Sequence, residues 1–250
     1  MSDFYIGYLP KMPKALSRYV VPAVAVMFSL AVVLAITFAL GQGPFATAFF
    51  EFGNVQPFEG TIQAKPVPFL ILEKAERSNG LPGLERIALV NEGKFGASAS
   101  VDEFDGQRVR LEGTLIYRGE IRMIEVKAGS VGRVQGEAFN ETEAEKNLGE
   151  MTLKGEIIDS KCYLGVMNPG NHKTHRSCAV ACLRGGIPPM LLVKDEQGRA
   201  SELWLVTETG EPINDRILDY VAEPVEVTGR VGRKGDSLFF YAKADSIKRL

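Results

Sequence analysis

Displaced by 116 residues, the sequence overlays on itself: residues 87–134 align with 203–250 without a gap. Val90 falls on Val206, Val109 on Val225, Gly113 on Gly229, Gly119 on Gly235, Lys127-Ala128 on Lys243-Ala244, Ser130 on Ser246 and Arg133 on Arg249. A chain that keeps apolar, glycine and polar positions in one register must build two units that bury the same faces. Two copies are too few for a solenoid, so a tandem pair is expected, over residues 51–134 and 151–250.

The second copy reads most clearly. Residues 153–158 alternate into a strand, 190–193 form a short apolar strand, and 203–206 form a third. Ile213, Ile217, Leu218 and Val221 are apolar at helical spacing. Residues 225–231 alternate again, Lys234-Gly235-Asp236 turns the chain, and 238–242 return as the hairpin partner. Three strands, a helix and two strands is the order of an OB-type barrel. The first copy follows it with a weaker helical signal at 97–104. Other small five-stranded barrels and sandwiches share much of this pattern. The expected fold class is mainly β, with one N-terminal transmembrane helix and two tandem five-stranded OB-like barrels. Between them, residues 135–150 carry Glu137, Glu141, Glu143, Glu145 and Glu150 and are expected as an acidic, solvated connector or exposed helix.

Residues 20–40 carry no charge and are long enough to cross a bilayer as one helix. Lys11, Lys14 and Arg18 precede this span, while residues 41–50 carry no charge. By the positive-inside rule residues 1–19 are cytoplasmic or interfacial, and the barrels lie outside. Aromatic Phe4, Tyr5, Tyr8 and Tyr19 suit a headgroup layer. Ala46-Thr47-Ala48 has the small-x-small form of a signal cleavage site, but the apolar run exceeds the roughly 7–15 residues of a signal core, which favours a retained anchor. The expected location is the bacterial inner membrane with the C-terminal domains periplasmic, in an oxidising compartment. A net charge of −2 gives no general attraction for nucleic acid, which is not an expected partner.

All three cysteines and both histidines fall between Cys162 and Cys182. The second copy carries them in an insertion, residues 161–188, between its first two strands. Thr174 is the expected cap of a short helix ending at Arg184, with Gly185-Gly186 as its stop. On that helix His175, Cys178 and Cys182 share one face at spacings i, i+3, i+7. Cys162, at the end of the first strand, approaches the same face if the insertion folds back, and His172 sits just before the helix, within or beyond reach. Two chemistries suit this set. Thiolates with imidazole bind copper or zinc, with Met167 or Met190 as a further soft ligand, so Cys162, His172, His175, Cys178 and Cys182 are the candidate ligands. Alternatively two of the thiols form a structural disulfide that pins the insertion down, with one cysteine left over. An exchange-active thiol is a third reading, weakened because Cys178 stands a turn inside the helix. Asp159 and Lys161 flank Cys162 as solvating charges, and Trp204 is expected in the core. No Ser or Asp is placed to complete a hydrolytic set with His172 and His175, and no haem or dinucleotide motif is present, so no catalytic residue is assigned.

The Cys178-x₃-Cys182 spacing is similar to that of dinuclear copper electron-transfer sites and of copper-delivery thioredoxin-like proteins, although Gly186 stands where the former have a ligating histidine. The run Gly155-Glu-Ile-Ile-Asp-Ser-Lys-Cys162-Tyr, His175-Arg-Ser-Cys178-Ala-x-x-Cys182, Gly186-Ile-Pro188 resembles a motif of small exported or membrane-anchored bacterial proteins. The resemblance covers the second module and implies export and a shared Cys/His site. A single anchor and no catalytic set suggest an accessory subunit, facing the periplasm, of a respiratory or photosynthetic electron-transfer complex. Its partners would be integral membrane subunits and the lipid bilayer, with Ala23, Ala25, Ala31 and Ala35 permitting close helix approach. The alternative is a stand-alone copper- or thiol-handling protein.

Overall fold

The computed structural model describes residues 12–41, 48–74, 83–139 and 144–250. The expectations placed on Phe4, Tyr5, Tyr8, Lys11, Ala46, Thr47, Glu141 and Glu143 lie outside the described residues. Helix α1 (Lys14–Gly41) contains the whole uncharged run and buries none of its residues. At 1.5 Å per residue its 28 residues extend about 42 Å, and it is long and apolar enough to cross a membrane. It forms one compact unit and the β strands another.

The first barrel comprises β1 (Ala48–Gln63), β2 (Phe69–Lys74), β3 (Gly83–Asn91), β4 (Arg108–Arg118), β5 (Ile121–Val126) and the two-residue β6 (Gly132–Arg133). The second comprises β7 (Lys146–Asp159), β8 (Pro189–Lys194), β9 (Ala200–Thr207), β10 (Pro224–Lys234), β11 (Ser237–Ala242) and β12 (Lys248–Arg249). In the first, β1 pairs with β2 at one end and β4 along its length, closing the order β1-β2-β3-β5-β4 into a five-stranded barrel. The second closes identically as β7-β8-β9-β11-β10. In each, one parallel pair (β3 with β5, β9 with β11) interrupts otherwise antiparallel pairing, which gives the OB strand order. A short helix stands before the fourth strand of each barrel: α2 (Ser98–Val101), then α4 (Asn214–Ile217).

The repeat has a structural cause at two of its matched pairs. A side chain at Gly113 would meet the Glu125 carbonyl oxygen at 2.6 Å, and one at Gly229 would meet that of Tyr241 at 2.4 Å, so the hairpin crossing admits only glycine. Ser130 Oγ accepts the Glu112 N–H (3.1 Å), and Ser246 Oγ accepts the Thr228 N–H (2.9 Å), closing each barrel at the same corner. Each barrel fills its own interior, the first with residues such as Leu70, Leu89, Leu111 and Ile124, the second with Ile157, Leu205, Val227 and Phe240.

The tandem arrangement differs from beads on a connector in two respects. A third buried cluster joins the barrels, and it takes Ala88, Val90 and Met123 from the first and the repeat-equivalent Trp204, Val206 and Phe239 from the second. Phe69 meets Trp204 edge-on (5.5 Å, 89°) and Phe239 likewise (6.1 Å, 77°). The expected connector is also shorter: residues 146–150 belong to β7, because their backbone pairs with β10 through Arg233 to Arg230. Glu145 is held by Arg230 and the Tyr241 hydroxyl, and Glu150 by Lys243, so these carboxylates are paired rather than simply solvated.

Candidate metal and thiol site

Strand β7 ends in Asp159, a buried polar residue that organises the whole insertion. Asp159 is fully buried; its Oδ1 accepts the Cys162 N–H (2.8 Å), as a capping aspartate does, and starts one π-helical turn over Cys162–Val166. The Met167 N–H closes that turn on the Cys162 carbonyl at 3.1 Å. The other carboxylate oxygen lies 2.9 Å from His175 Nε2, and His175 is buried as well. The aspartate therefore ties the strand end to the start of α3 (Arg176–Arg184), in the middle of the insertion.

Thr174 does not cap α3. A short 3₁₀ turn, Lys173–His175, leads into the helix, Thr174 is exposed, and no side chain caps His175, whose position is set by Asp159 instead. The expected stop is present: the Gly185 N–H reaches the Ala181 carbonyl, and Gly186, at φ +91°, reaches that of Leu183. Cys178 and Cys182, one turn apart on α3, face back toward Cys162.

All three cysteines are free thiols. Their sulfurs lie within 4.8 Å of one another, with Cys162 Sγ and Cys178 Sγ 3.8 Å apart. That separation is far outside the roughly 2.05 Å of a disulfide. It equals the spacing of two sulfurs that share one ion, since ligands about 2.3 Å from a metal at tetrahedral to trigonal angles stand about 3.8–4.0 Å apart. Asp159, Cys162 and His175 form a second convergent group, also within 4.8 Å, so Cys162 belongs to both. With Nε2 held by Asp159, the ring nitrogen of His175 left to ligate is Nδ1, an orientation that outer carboxylates impose on metal-binding histidines. Met190 is buried in the inter-barrel cluster with Cys162 and Cys182, while Met167 is exposed.

His172 does not join these groups. It lies at φ +66° on the outside of the insertion, its side chain is 61% exposed, and its Nδ1 faces Glu156 at 3.3 Å. The residue before the helix is turned outward because the Glu156 carboxylate also takes its backbone N–H.

Three functional groups escape the sequence reading. Asp159 and Lys161 are not solvating charges. The Lys161 side chain is 3% exposed, and its ammonium donates to the Asn91 (2.9 Å) and Gly93 (2.7 Å) carbonyls and pairs with the Glu125 carboxylate. A buried ammonium is tolerated only with such partners, and these partners fix the loop after β3. That loop carries the third group, Lys94, whose ammonium reaches Cys178 Sγ at 2.8 Å and Cys182 Sγ at 3.5 Å. Lys94 comes from the first barrel and the cysteines from the second. Burial could have flagged Asp159 and Lys161, since both directly continue a strand whose end is apolar on successive residues; nothing near Lys94 in the sequence announces its role.

The cation and the thiols shift one another. Lys94 is held above its ordinary pKa, chiefly by its bond to Cys178. The thiol proton of the Cys162–Cys182 pair stays on Cys162, which is hydrogen-bonded to Cys182, buried and near Asp159. Cys182, accepting from Cys162 and close to Lys94, is pulled down to about 7. The arrangement thus holds one thiolate ready near neutral pH, beside two further sulfurs. No protein-family model, curated protein or solved structure matches this chain.

Proposed function

We propose that this chain is a membrane-anchored, periplasm-facing accessory subunit that holds a soft metal ion at Cys162, Cys178 and Cys182 within a respiratory or photosynthetic electron-transfer complex. The observation that carries the metal reading is the convergence of three free sulfurs within 4.8 Å of one another, with Cys162 and Cys178 at the 3.8 Å spacing of ligands to one ion. Three thiolates select copper(I) or zinc, and a set dominated by sulfur leans toward copper(I). A bound copper ion would supply one-electron chemistry. Lys94 would offset the surplus negative charge of the thiolates, His175 stands by as a fourth donor, and Asp159 orients it. The apolar helix supports anchoring, and its basic N-terminal flank supports the orientation.

Metal analysis of the purified full-length protein tests this. We expect about one equivalent of copper or zinc, lost in each of Cys162→Ser, Cys178→Ser and Cys182→Ser. His172→Ala should retain it. Co-purification in mild detergent tests the subunit role, and a chain that runs alone while retaining metal supports stand-alone metal handling instead. The lowered Cys182 pKa favours one second reading, thiol exchange, and metal-free protein that reacts with a disulfide at Cys182 or Cys178 would carry it.

A further inference from the structure

The start of β1 carries an exposed apolar protrusion, rooted on Phe50 at the edge of the inter-barrel cluster. Its register against β4 jumps from Phe50 opposite Ile116 to Val55 opposite Thr114, so four residues, 51–54, face one, Leu115, and are pushed out of the sheet. Phe52 at the bulge is 84% exposed, and Phe49 (54%) and Val55 (49%) flank it. Two ring contacts flank the bulge: Phe52 meets Phe50 at 5.5 Å, and Phe49 meets Tyr117 at 5.8 Å. The bulge is built rather than loose. Glu51, its one charge, accepts from Asn54 (2.9 Å) and Gln56 (2.7 Å), and Gly53 turns the tip at φ +83°. An isolated exposed phenylalanine needs no explanation, but an aromatic cluster raised on a stitched bulge does.

We infer that this protrusion inserts into the headgroup–acyl boundary of the bilayer that α1 crosses, an inference that rests on the anchor reading above. The chain supplies the argument for lipid. Phe52 follows the last residue of α1, Gly41, by only about eleven residues, a reach of at most roughly 40 Å, so the protrusion is never far from the surface in which the helix ends. Such a tether keeps the local concentration of bilayer high, and a small apolar contact then suffices. Tyrosine and tryptophan settle at the headgroups, and phenylalanine buries its ring at the headgroup–acyl boundary. The only charge on the bulge is an acid already engaged by two amides, so the contact is apolar and independent of anionic lipid. Docking this way has a consequence for the thiol site. The backbone of Phe49 abuts the Cys162 turn, where a side chain at Gly165 would meet the Phe49 carbonyl oxygen at 2.4 Å, so the turn that carries Cys162 is held beside the inserting strand.

The test places a tryptophan at the tip, Phe52→Trp, in the full chain reconstituted into phosphatidylcholine vesicles. Trp204 is buried and provides a constant background, subtracted with the unsubstituted protein. We expect emission from position 52 to shift to shorter wavelength and to be quenched by lipid brominated near the headgroup end of its acyl chains, whereas Gln197→Trp, in an exposed turn of the second barrel, stays unquenched. Equal behaviour at 52 and 197 overturns the inference. Flotation of the same vesicles separates the two levels: protein that floats with position 52 unquenched removes the docking alone, and protein that fails to float removes the anchor with it.

Discussion

Lys94 places its ammonium 2.8 Å from the Cys178 sulfur and 3.5 Å from that of Cys182, where it adds to the hydrogen bond from Cys162 in favouring the Cys182 thiolate. In metal-free protein the ultraviolet thiolate absorbance should therefore titrate in separated steps, the first near pH 7 from Cys182. Cys162 should lose its proton only at strongly alkaline pH. A cation lowers a thiol pKa, so Lys94→Met should move the first step upward, toward the ordinary value of about 8.5. An unchanged first step would mean that the lysine does not govern the site. At this scale the sequence revealed the cysteine trio and His175, since soft ligands gathered in one insertion have few other uses. It left open whether His172 reaches the site, where the ring faces Glu156 instead, and it gave no hint of Lys94, which lies on a different barrel and has Gly210 as its repeat equivalent.

The loop after β3 and the end of α3 meet backbone to backbone. The Gly96 N–H donates to the Gly185 carbonyl at 3.0 Å, and a side chain at Gly185 would stand 1.8 Å from the Lys94 carbonyl oxygen. Gly185 has φ −79°, which any residue adopts, so glycine is required there by the approach alone. Gly185→Ala should destabilise the protein by about 1–3 kcal/mol through overpacking. It should also push Lys94 off the sulfurs and raise the first thiol step as Lys94→Met does. Chemical denaturation and the same titration check both effects; wild-type values in each would show that the loop yields freely. The strands were legible from alternation and the short helices from spacing, because those periods are local. The true start of β7 was not, since residues 146–150 look like solvated connector until β10 pairs with them.

A shared buried cluster joins the two barrels. Phe69→Ala would open a cavity against Trp204 and Phe239 and should cost about 3–5 kcal/mol. Both barrels should unfold together in it, with Trp204 fluorescence and far-ultraviolet circular dichroism following one transition. Two resolved transitions would mean that each barrel stands alone. The apposition had a sequence signature that the repeat overshadowed. Residues 87–90 and 203–206 are apolar at every position rather than at every second one, and a strand with both faces apolar is covered on both. One face fills its own barrel, and the other meets the equivalent face of its neighbour.

That the ammonium and the sulfurs come from opposite halves ties reactivity to mechanical integrity. Any strain that parts the halves by a few ångströms withdraws the counter-ion while Asp159 and α3 still hold the cysteines in place, so the thiols would register separation before either half lost its shape.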